Sequence, residues 1–278
     1  MKSPFNDYVD VTKFANIWRY PGGEVGVRLK AGPLPEKILA RIHNSNDLMA
    51  LVMILSALPE DVTTRRVLLP YLPYGRQDRV IMLGDPPALT TLARLLAEVH
   101  VDTLDVHSPT HTEEAFRHSG LTSHSALPWL TQYLMKCDLL SNCIIVAPDA
   151  GAVERATEAA AMLSVPVIKC EKTRDKATGD LLGFTVVEGE VSKLPPRRNL
   201  VIVDDICDGG GTFIGVAKAL RARYGADFKL HLWVTHGIFS KGLTELVQFF
   251  DTIGCTDSFE HEATAPFLHT FPIQETSS

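Results

Sequence analysis

The sequence predicts an α/β fold of two similar halves, each a parallel sheet flanked by helices. Three observations lead there. Short β-rich apolar runs recur along the chain, each ends in a polar or glycine-containing turn, and stretches with helical periodicity separate them. Strands separated by helices of this length imply β-α-β units and hence parallel pairing. The length of 278 residues suits one large domain or two medium ones, at about 150 residues per domain.

The elements follow in chain order. A helix is expected over 47–58, an apolar run bounded by Asp47 and Pro59, then a strand over 66–70, Arg66-Val67-Leu68-Leu69-Pro70. Helical spacing returns over 89–99, followed by a strand over 101–106. Beyond it come a strand over 143–147, a helix over 152–164, a strand over 165–169, a strand over 200–203, a helix over 212–224 and a strand over 229–234. A boundary near 119–129 divides the chain into an N-terminal half, 1–125, and a C-terminal half, 126–278. No strong internal repeat and no low-complexity linker marks the join.

Composition removes several classes of function. Lys+Arg total 27 against 33 for Asp+Glu, a net charge of -6, with 45% hydrophobic residues, which argues against disorder and against binding nucleic acid by charge. Basic residues are scattered, and Trp18, Trp129 and Trp233 lie far apart, as core or interface residues would. The longest apolar stretch, 48–58, falls short of the ~20 residues of a membrane span, and MKSPFNDYVD lacks the apolar segment of a secretory signal. The chain reads as a soluble cytoplasmic protein. Its five cysteines, Cys137, Cys143, Cys170, Cys207 and Cys255, are odd in number and form no C-x-x-C pair, so they read as buried or incidental free thiols rather than disulfides, a zinc site or catalytic groups.

In parallel sheets ligands bind at the carboxyl ends of strands, which directs attention to the residues just after each run. There stand Tyr74-Gly75-Arg76-Gln77-Asp78-Arg79, His107-Ser108-Pro109-Thr110, Pro148-Asp149-Ala150-Gly151, Asp204-Asp205 with Asp208-Gly209-Gly210-Gly211-Thr212, and Thr235-His236-Gly237. The fourth is the sharpest: an apolar strand, two carboxylates, a glycine run, then a helix opened by Thr212. Glycines let the backbone turn tightly and aim N–H groups inward, and a helix N-terminus adds partial positive charge. That is a phosphate cradle, without the G-K-[ST] of a Walker A loop or the G-x-G-x-x-G spacing of a dinucleotide site. Asp204 and Asp205 suit the hydroxyls of a ribose whose phosphate the loop holds.

This segment resembles the V-V-D-D and D-x-x-G-T signature of the type I phosphoribosyltransferase fold. Further motifs resemble one family on that fold, the ribose-phosphate pyrophosphokinases. Pro70-Tyr71-Leu72-Pro73-Tyr74-Gly75-Arg76-Gln77-Asp78-Arg79 is similar to its P-Y-x-x-Y-A-R-Q-D-R segment, Asp105-Val106-His107 to its D-L-H, and Pro148-Asp149-Ala150-Gly151 to its P-D-x-G. Asn46-Asp47-Leu48-Met49 and Thr235-His236-Gly237 also match, so the resemblance runs in order over residues 20–258.

The resemblance implies transfer of a diphosphate from ATP to the anomeric hydroxyl of ribose 5-phosphate, with AMP released and Mg²⁺ required. It implies ATP binding by Arg76, Gln77, Asp78 and His107, and a metal held by His107 and Asp149. Glu24, in Tyr20-Pro21-Gly22-Gly23-Glu24, aligns with an adenine-contacting loop supplied by a neighbouring subunit, which implies a homo-oligomer with a shared active site. Lys172 and Arg174 match the K-x-R core of a catalytic loop and are assigned to charge developing on the transferred phosphates. Asp204, Asp205, Asp208, Gly209, Gly210, Gly211 and Thr212 are assigned to the sugar phosphate.

Three departures qualify the match. Where the family carries basic residues for regulatory ligands, the chain has Val80-Ile81-Met82-Leu83-Gly84, which argues against that regulation. It is short at both ends and shows little of the family's closing helix, so a dimer and a hexamer stay open. In the loop, D-T-A-G-T becomes Asp208-Gly209-Gly210-Gly211-Thr212, losing a hydroxyl and a methyl. The freed space would suit a phosphate esterified further, so ADP-ribose, in NAD salvage, stands as an alternative acceptor. A phosphoribosyltransferase would have no use for the Arg76-Gln77 segment, and a non-catalytic regulatory homologue should show damage at Lys172, Arg174, His107 or Asp149, which are intact.

Overall fold

The computed structural model describes residues 2–59, 66–174, 181–187 and 198–275, with the side chains of Arg174, Leu181 and Leu182 outside the description. Residues up to Ser125 together with those from Ile273 on form one compact unit, and Ala126–Pro272 the other.

The first unit contains β1 (Val9–Asp10), α1 (Val11–Phe14), β2 (Ala15–Arg19), β3 (Val25–Leu29), β4 (Lys37–Leu39), α2 (Ser45–Ala57), β5 (Arg66–Leu69), α3 (Ala88–Leu95), β6 (His100–Leu104), α4 (Pro109–Ala115) and β7 (Leu121–His124). Its main sheet runs β1-β4-β5-β6-β7 with every pair parallel, while β2 and β3 form a separate antiparallel hairpin. Helix α2 starts where the sequence supplies a capping box. The Asn44 side chain accepts from the Asp47 backbone N–H, and the Asp47 carboxylate accepts from that of Asn44, which satisfies donors the helix cannot pair itself. The core lies between sheet and helices, with Val67, Leu69 and Val101 from the strands against Leu51, Leu89, Leu92 and Phe116.

A buried polar cluster interrupts the apolar interior of this sheet. Asp102, fully buried, accepts from Tyr8 Oη at 2.5 Å, from Arg66 Nε and Nη2 at 2.8 and 2.5 Å, and pairs with His124 Nε2 at 2.9 Å. Burial alone would raise its pKa, but hydrogen bonds from His124, Arg66 and Tyr8 outweigh that and hold it well below the usual carboxylate range.

The second unit contains α5 (Leu127–Lys136), β8 (Cys143–Ala147), a short 3₁₀ turn (Ala150–Ala152), α6 (Val153–Leu163), β9 (Val167–Arg174), β10 (Leu181–Val186), β11 (Arg198–Cys207), α7 (Gly211–Tyr224), β12 (Phe228–Gly237), a second 3₁₀ turn (Leu246–Gln248), β13 (Thr252–Thr256) and β14 (Leu268–Phe271). The strand order is β10-β9-β8-β11-β12-β13-β14, parallel throughout except for the antiparallel edge strand β10. Strands β8, β11 and β12 are covered on both faces, which explains their near-continuous apolar runs. Trp129 and Trp233 are core residues. All five cysteines are free, four of them buried, and burial pushes Cys170, Cys207 and Cys255 up to about 12.

The α/β class with parallel sheets flanked by helices is the architecture observed. The sequence pattern missed β1, the β2–β3 hairpin, β4, β7, β10 and the closing strands β13 and β14. Helix α7 begins one residue earlier than expected, at Gly211, behind Gly210 at φ 79°.

Candidate active site

In the second unit the functional side chains stand at the carboxyl ends of neighbouring strands. Asp149 follows β8 and caps the 3₁₀ turn, its Oδ1 accepting from the Gly151 N–H at 3.0 Å. Lys172, on adjacent β9, donates from Nζ to Asp149 Oδ2 at 2.6 Å. Both groups are partly exposed, at 31% for the Lys172 side chain and 21% for Asp149, so both remain within reach of a ligand. The Arg174 side chain and residues 175–180 lie outside the described residues.

On the other side of β8 runs β11, which carries Asp204 and Asp205 near its carboxyl end. Arg155, from the first turn of α6, brings Nη1 to 3.4 Å from Asp204 Oδ1 and Nη2 to 4.0 Å from Asp205 Oδ2. Asp204 Oδ1 accepts from the Asp205 N–H, and Asp205 Oδ1 from the Ile206 N–H, each at 2.9 Å. Burial and the negative charge of Asp205 raise the Asp204 pKa well above its ordinary value, with Arg155 offsetting part of the rise. A pair held this way accepts hydrogen bonds from neighbouring hydroxyls while resisting a second full charge.

Asp208 leads into Gly209, Gly210 and Gly211, and Thr212 lies in the first turn of α7. Gly210 adopts φ 79°, a conformation that costs a side-chain-bearing residue ~1–2 kcal/mol. No side chain caps α7, which leaves the N–H groups of its first turn without a capping partner. The space freed by the lost side chains is not empty throughout. A Cβ on Gly209 would meet Lys241 Cδ and Cε at 3.3 Å, and one on Gly210 would meet Leu246 Cδ2 at 3.0 Å. Nothing lies within 4 Å of the corresponding point at Gly211, but that position is a glycine in the D-T-A-G-T pattern as well. Room for an esterified phosphate is therefore narrower than the glycine count suggests.

In the first unit the segment after β5 turns sharply, with Tyr74 at φ 61° and Gln77 N–H donating to Tyr74 O at 2.8 Å. Arg76 and Gln77 are exposed and Asp78 is half-buried. His111 Nδ1 lies 2.7 Å from Asp78 Oδ2 and 2.9 Å from Ser108 Oγ. Burial would raise Asp78, but the hydrogen bond from His111 and the charge of Arg79 hold its pKa below the usual value. Asp78, Arg79 and His111 border a cavity of about 500 Å³ between α3 and α4. His107 follows β6 and is exposed, as is Glu24 at the tip of the β2–β3 hairpin, where its carbonyl accepts from Tyr20 N–H at 2.8 Å.

Within the second unit the structure brings Lys172 to Asp149 and sets Asp204, Asp205, Asp208 and the glycine run along one continuous segment from the end of β11 to the start of α7. Sequence reasoning missed Arg155, His111 and Lys241. Arg155 left one physical trace, a cation in the first turn of a helix, where the dipole disfavours it unless an acid compensates. Lys241, 32 positions beyond Gly209 in an ordinary polar turn, left none.

A fold with this loop at the end of its central strand is that of the phosphoribosyltransferases, and residues 129–255 match the phosphoribosyl transferase domain. Over most of its length the chain is also similar to ribose-phosphate pyrophosphokinases. That of Pyrococcus furiosus is 31% identical over 252 residues, 87% of this chain and 85% of that protein. That of Bradyrhizobium diazoefficiens is 31% identical over 252 residues, 82% of this chain and 72% of its own. The crystal structure of phosphoribosylpyrophosphate synthetase from Mycobacterium smegmatis superposes with a TM-score of 0.78 at 22% identity, covering 93% of this chain and 86% of that one. The chain belongs to the ribose-phosphate pyrophosphokinase family and is a transferase.

Proposed function

We propose that the protein transfers the β,γ-diphosphate of ATP to the anomeric C1 hydroxyl of ribose 5-phosphate, yielding phosphoribosyl pyrophosphate and AMP. The observation that carries this reading is the alignment of Asp149, Lys172 and the Asp204–Thr212 segment at the carboxyl ends of three adjacent strands, in a chain of this family. Such transfers are accelerated mostly by positioning and by neutralising charge on the phosphates.

Each residue then has a task. Asp204 and Asp205 accept the ribose hydroxyls, and Asp208 with the Gly209–Thr212 amides orients the 5-phosphate. Lys172 and Arg174 meet the charge that develops on the transferred group. Arg76, Gln77, Asp78 and His107 hold the nucleotide, with Glu24 of a neighbouring subunit at the adenine, in a cytoplasmic homo-oligomer. Mg²⁺ binds through few protein carboxylates and several substrate oxygens. The family resemblance assigns Asp149 and His107 to that ion, and Asp149, partly exposed, offers it an oxygen donor. When bound, that ion supplies positive charge to the phosphate oxygens. No helix among the described residues is long and apolar enough to cross a membrane.

ADP-ribose is a second acceptor, motivated by the lost side chains at 209 and 210, although Lys241 and Leu246 occupy part of the space those losses free. Incubation with ATP, Mg²⁺ and each acceptor separately, with the products weighed, tests both. AMP formed with ribose 5-phosphate alone eliminates the second reading, AMP with ADP-ribose alone eliminates the first, and none with either sinks both.

A further inference from the structure

Resting on the reading of the 208–212 turn as the sugar-phosphate loop, we propose that Lys241 is the side chain that grips the phosphoryl group of the acceptor sugar. The loop has a charge problem. Asp204, Asp205 and Asp208 fall within five positions, and the cation beside the first two, Arg155, is engaged by both. A phosphomonoester carries about −1.5 to −2 charges at pH 7, whereas a helix N-terminus offers roughly +0.5. Glycines at 209, 210 and 211 add no donor beyond their backbone.

Lys241 stands where that donor is missing. Its Cδ and Cε lie 3.3 Å, and its Cγ 3.6 Å, from the point a Cβ on Gly209 would occupy. The ammonium is one bond beyond Cε, about 1.5 Å, so it sits beside the same turn. No hydrogen bond or ion pair engages the Lys241 ammonium among the described residues, and its three donors are uncommitted.

The backbone fixes this placement. After β12, the N–H groups of Ile238 and Phe239 both donate to Cys207 O, at 2.9 and 3.0 Å, which ties the segment to the residue just before Asp208. Gly242 N–H then donates to Phe239 O at 2.7 Å, closing the turn that carries Lys241. Further on, Leu246 packs over Gly210. The segment thus covers two glycines, and the lysine stem occupies the place a side chain at 209 would take. A phosphate on the sugar, free or esterified, gains an ammonium contact in place of a loop side chain.

The test is calorimetric binding of ribose 5-phosphate and, in a separate arm, ADP-ribose, without ATP, to the full chain and to Lys241→Met and Lys241→Arg. Methionine keeps an apolar stem against Gly209 and removes only the charge, while arginine keeps the charge. Removing a charged hydrogen-bond donor should weaken binding roughly ten- to a hundred-fold in Lys241→Met, with most of the affinity kept in Lys241→Arg. In turnover, the acceptor KM should rise by a similar factor while the ATP KM stays put. The two arms tell a free phosphate from an esterified one. Unchanged binding by Lys241→Met, or a chain that binds neither sugar phosphate, overturns the proposal. Lys241-dependent binding without AMP formation would instead leave Lys241 in place and overturn the pyrophosphokinase reading.

Discussion

Lys172 Nζ lies 2.6 Å from Asp149 Oδ2, so a cation on β9 and a carboxylate at the end of β8 neutralise one another across neighbouring strands. The pair is partly open to solvent, which keeps it exchangeable. A ligand rich in phosphate oxygens competes for the lysine, and a divalent cation competes for the carboxylate. Both substitutions occur together if one ligand brings both charges, as a magnesium-bound triphosphate does.

Replacing Lys172 by Ala should lower kcat about 10²–10³-fold, the usual cost of losing a donor aimed at developing charge. The ATP KM should change far less. Steady-state rates of AMP release at saturating and limiting ATP check this, and an unchanged kcat would remove Lys172 from the chemistry.

Arg155→Met removes the cation that offsets the Asp204–Asp205 pair. Burial and Asp205 already hold Asp204 above its ordinary range, and losing the guanidinium raises it further. Acceptor binding that needs the ionised pair should weaken at neutral pH and recover as pH rises. Acceptor KM measured across the pH range reads this directly; a KM that does not depend on Arg155 at any pH would separate the two.

Asp102 makes the stability of the first unit acid-sensitive. Its folded pKa is depressed, so it contributes stability that is fully present above the unfolded value of about 3.9. That contribution is lost as pH falls below this value toward the folded one. Urea midpoints should drop as pH falls below about 4 in the parent, and less so in Asp102→Asn. At neutral pH the variant should be less stable by roughly 1–3 kcal/mol, because Tyr8 and Arg66 lose their shared acceptor.

Gly210→Ala should be destabilising on two counts. Its φ of 79° disfavours any side chain, and the new Cβ would meet Leu246 Cδ2 at 3.0 Å. A loss of about 1–3 kcal/mol in unfolding free energy, with weaker acceptor binding, is expected. Alanine at Gly211, where nothing lies within 4 Å, is the internal control and should cost much less.

Much of the fold was legible because buried parallel strands write themselves as apolar runs. The run 143–147 became β8 with the same limits, and the helix expected over 152–164 became α6 with its ends moved by one residue. The hairpin was not legible, since Asn16, Ile17, Arg19 and Arg28 mix polar and apolar positions on a two-stranded sheet with little buried face. The candidate site was legible where one turn carries it, as from Asp204 to Thr212. It was illegible where contacts bridge distant segments. Arg155 meets Asp204 across 49 positions, and Asp102 gathers Tyr8, Arg66 and His124 from three elements. No local pattern encodes such meetings.

The central claim concerns which bond of ATP is broken, and phosphorus NMR of a reaction with ATP, Mg²⁺ and ribose 5-phosphate follows it directly. The account predicts that the β- and γ-phosphorus signals move together into a diphosphate on the anomeric oxygen of the sugar while AMP accumulates. Appearance of ADP with a single phosphate on the sugar, or of inorganic phosphate with the sugar unchanged, would contradict it.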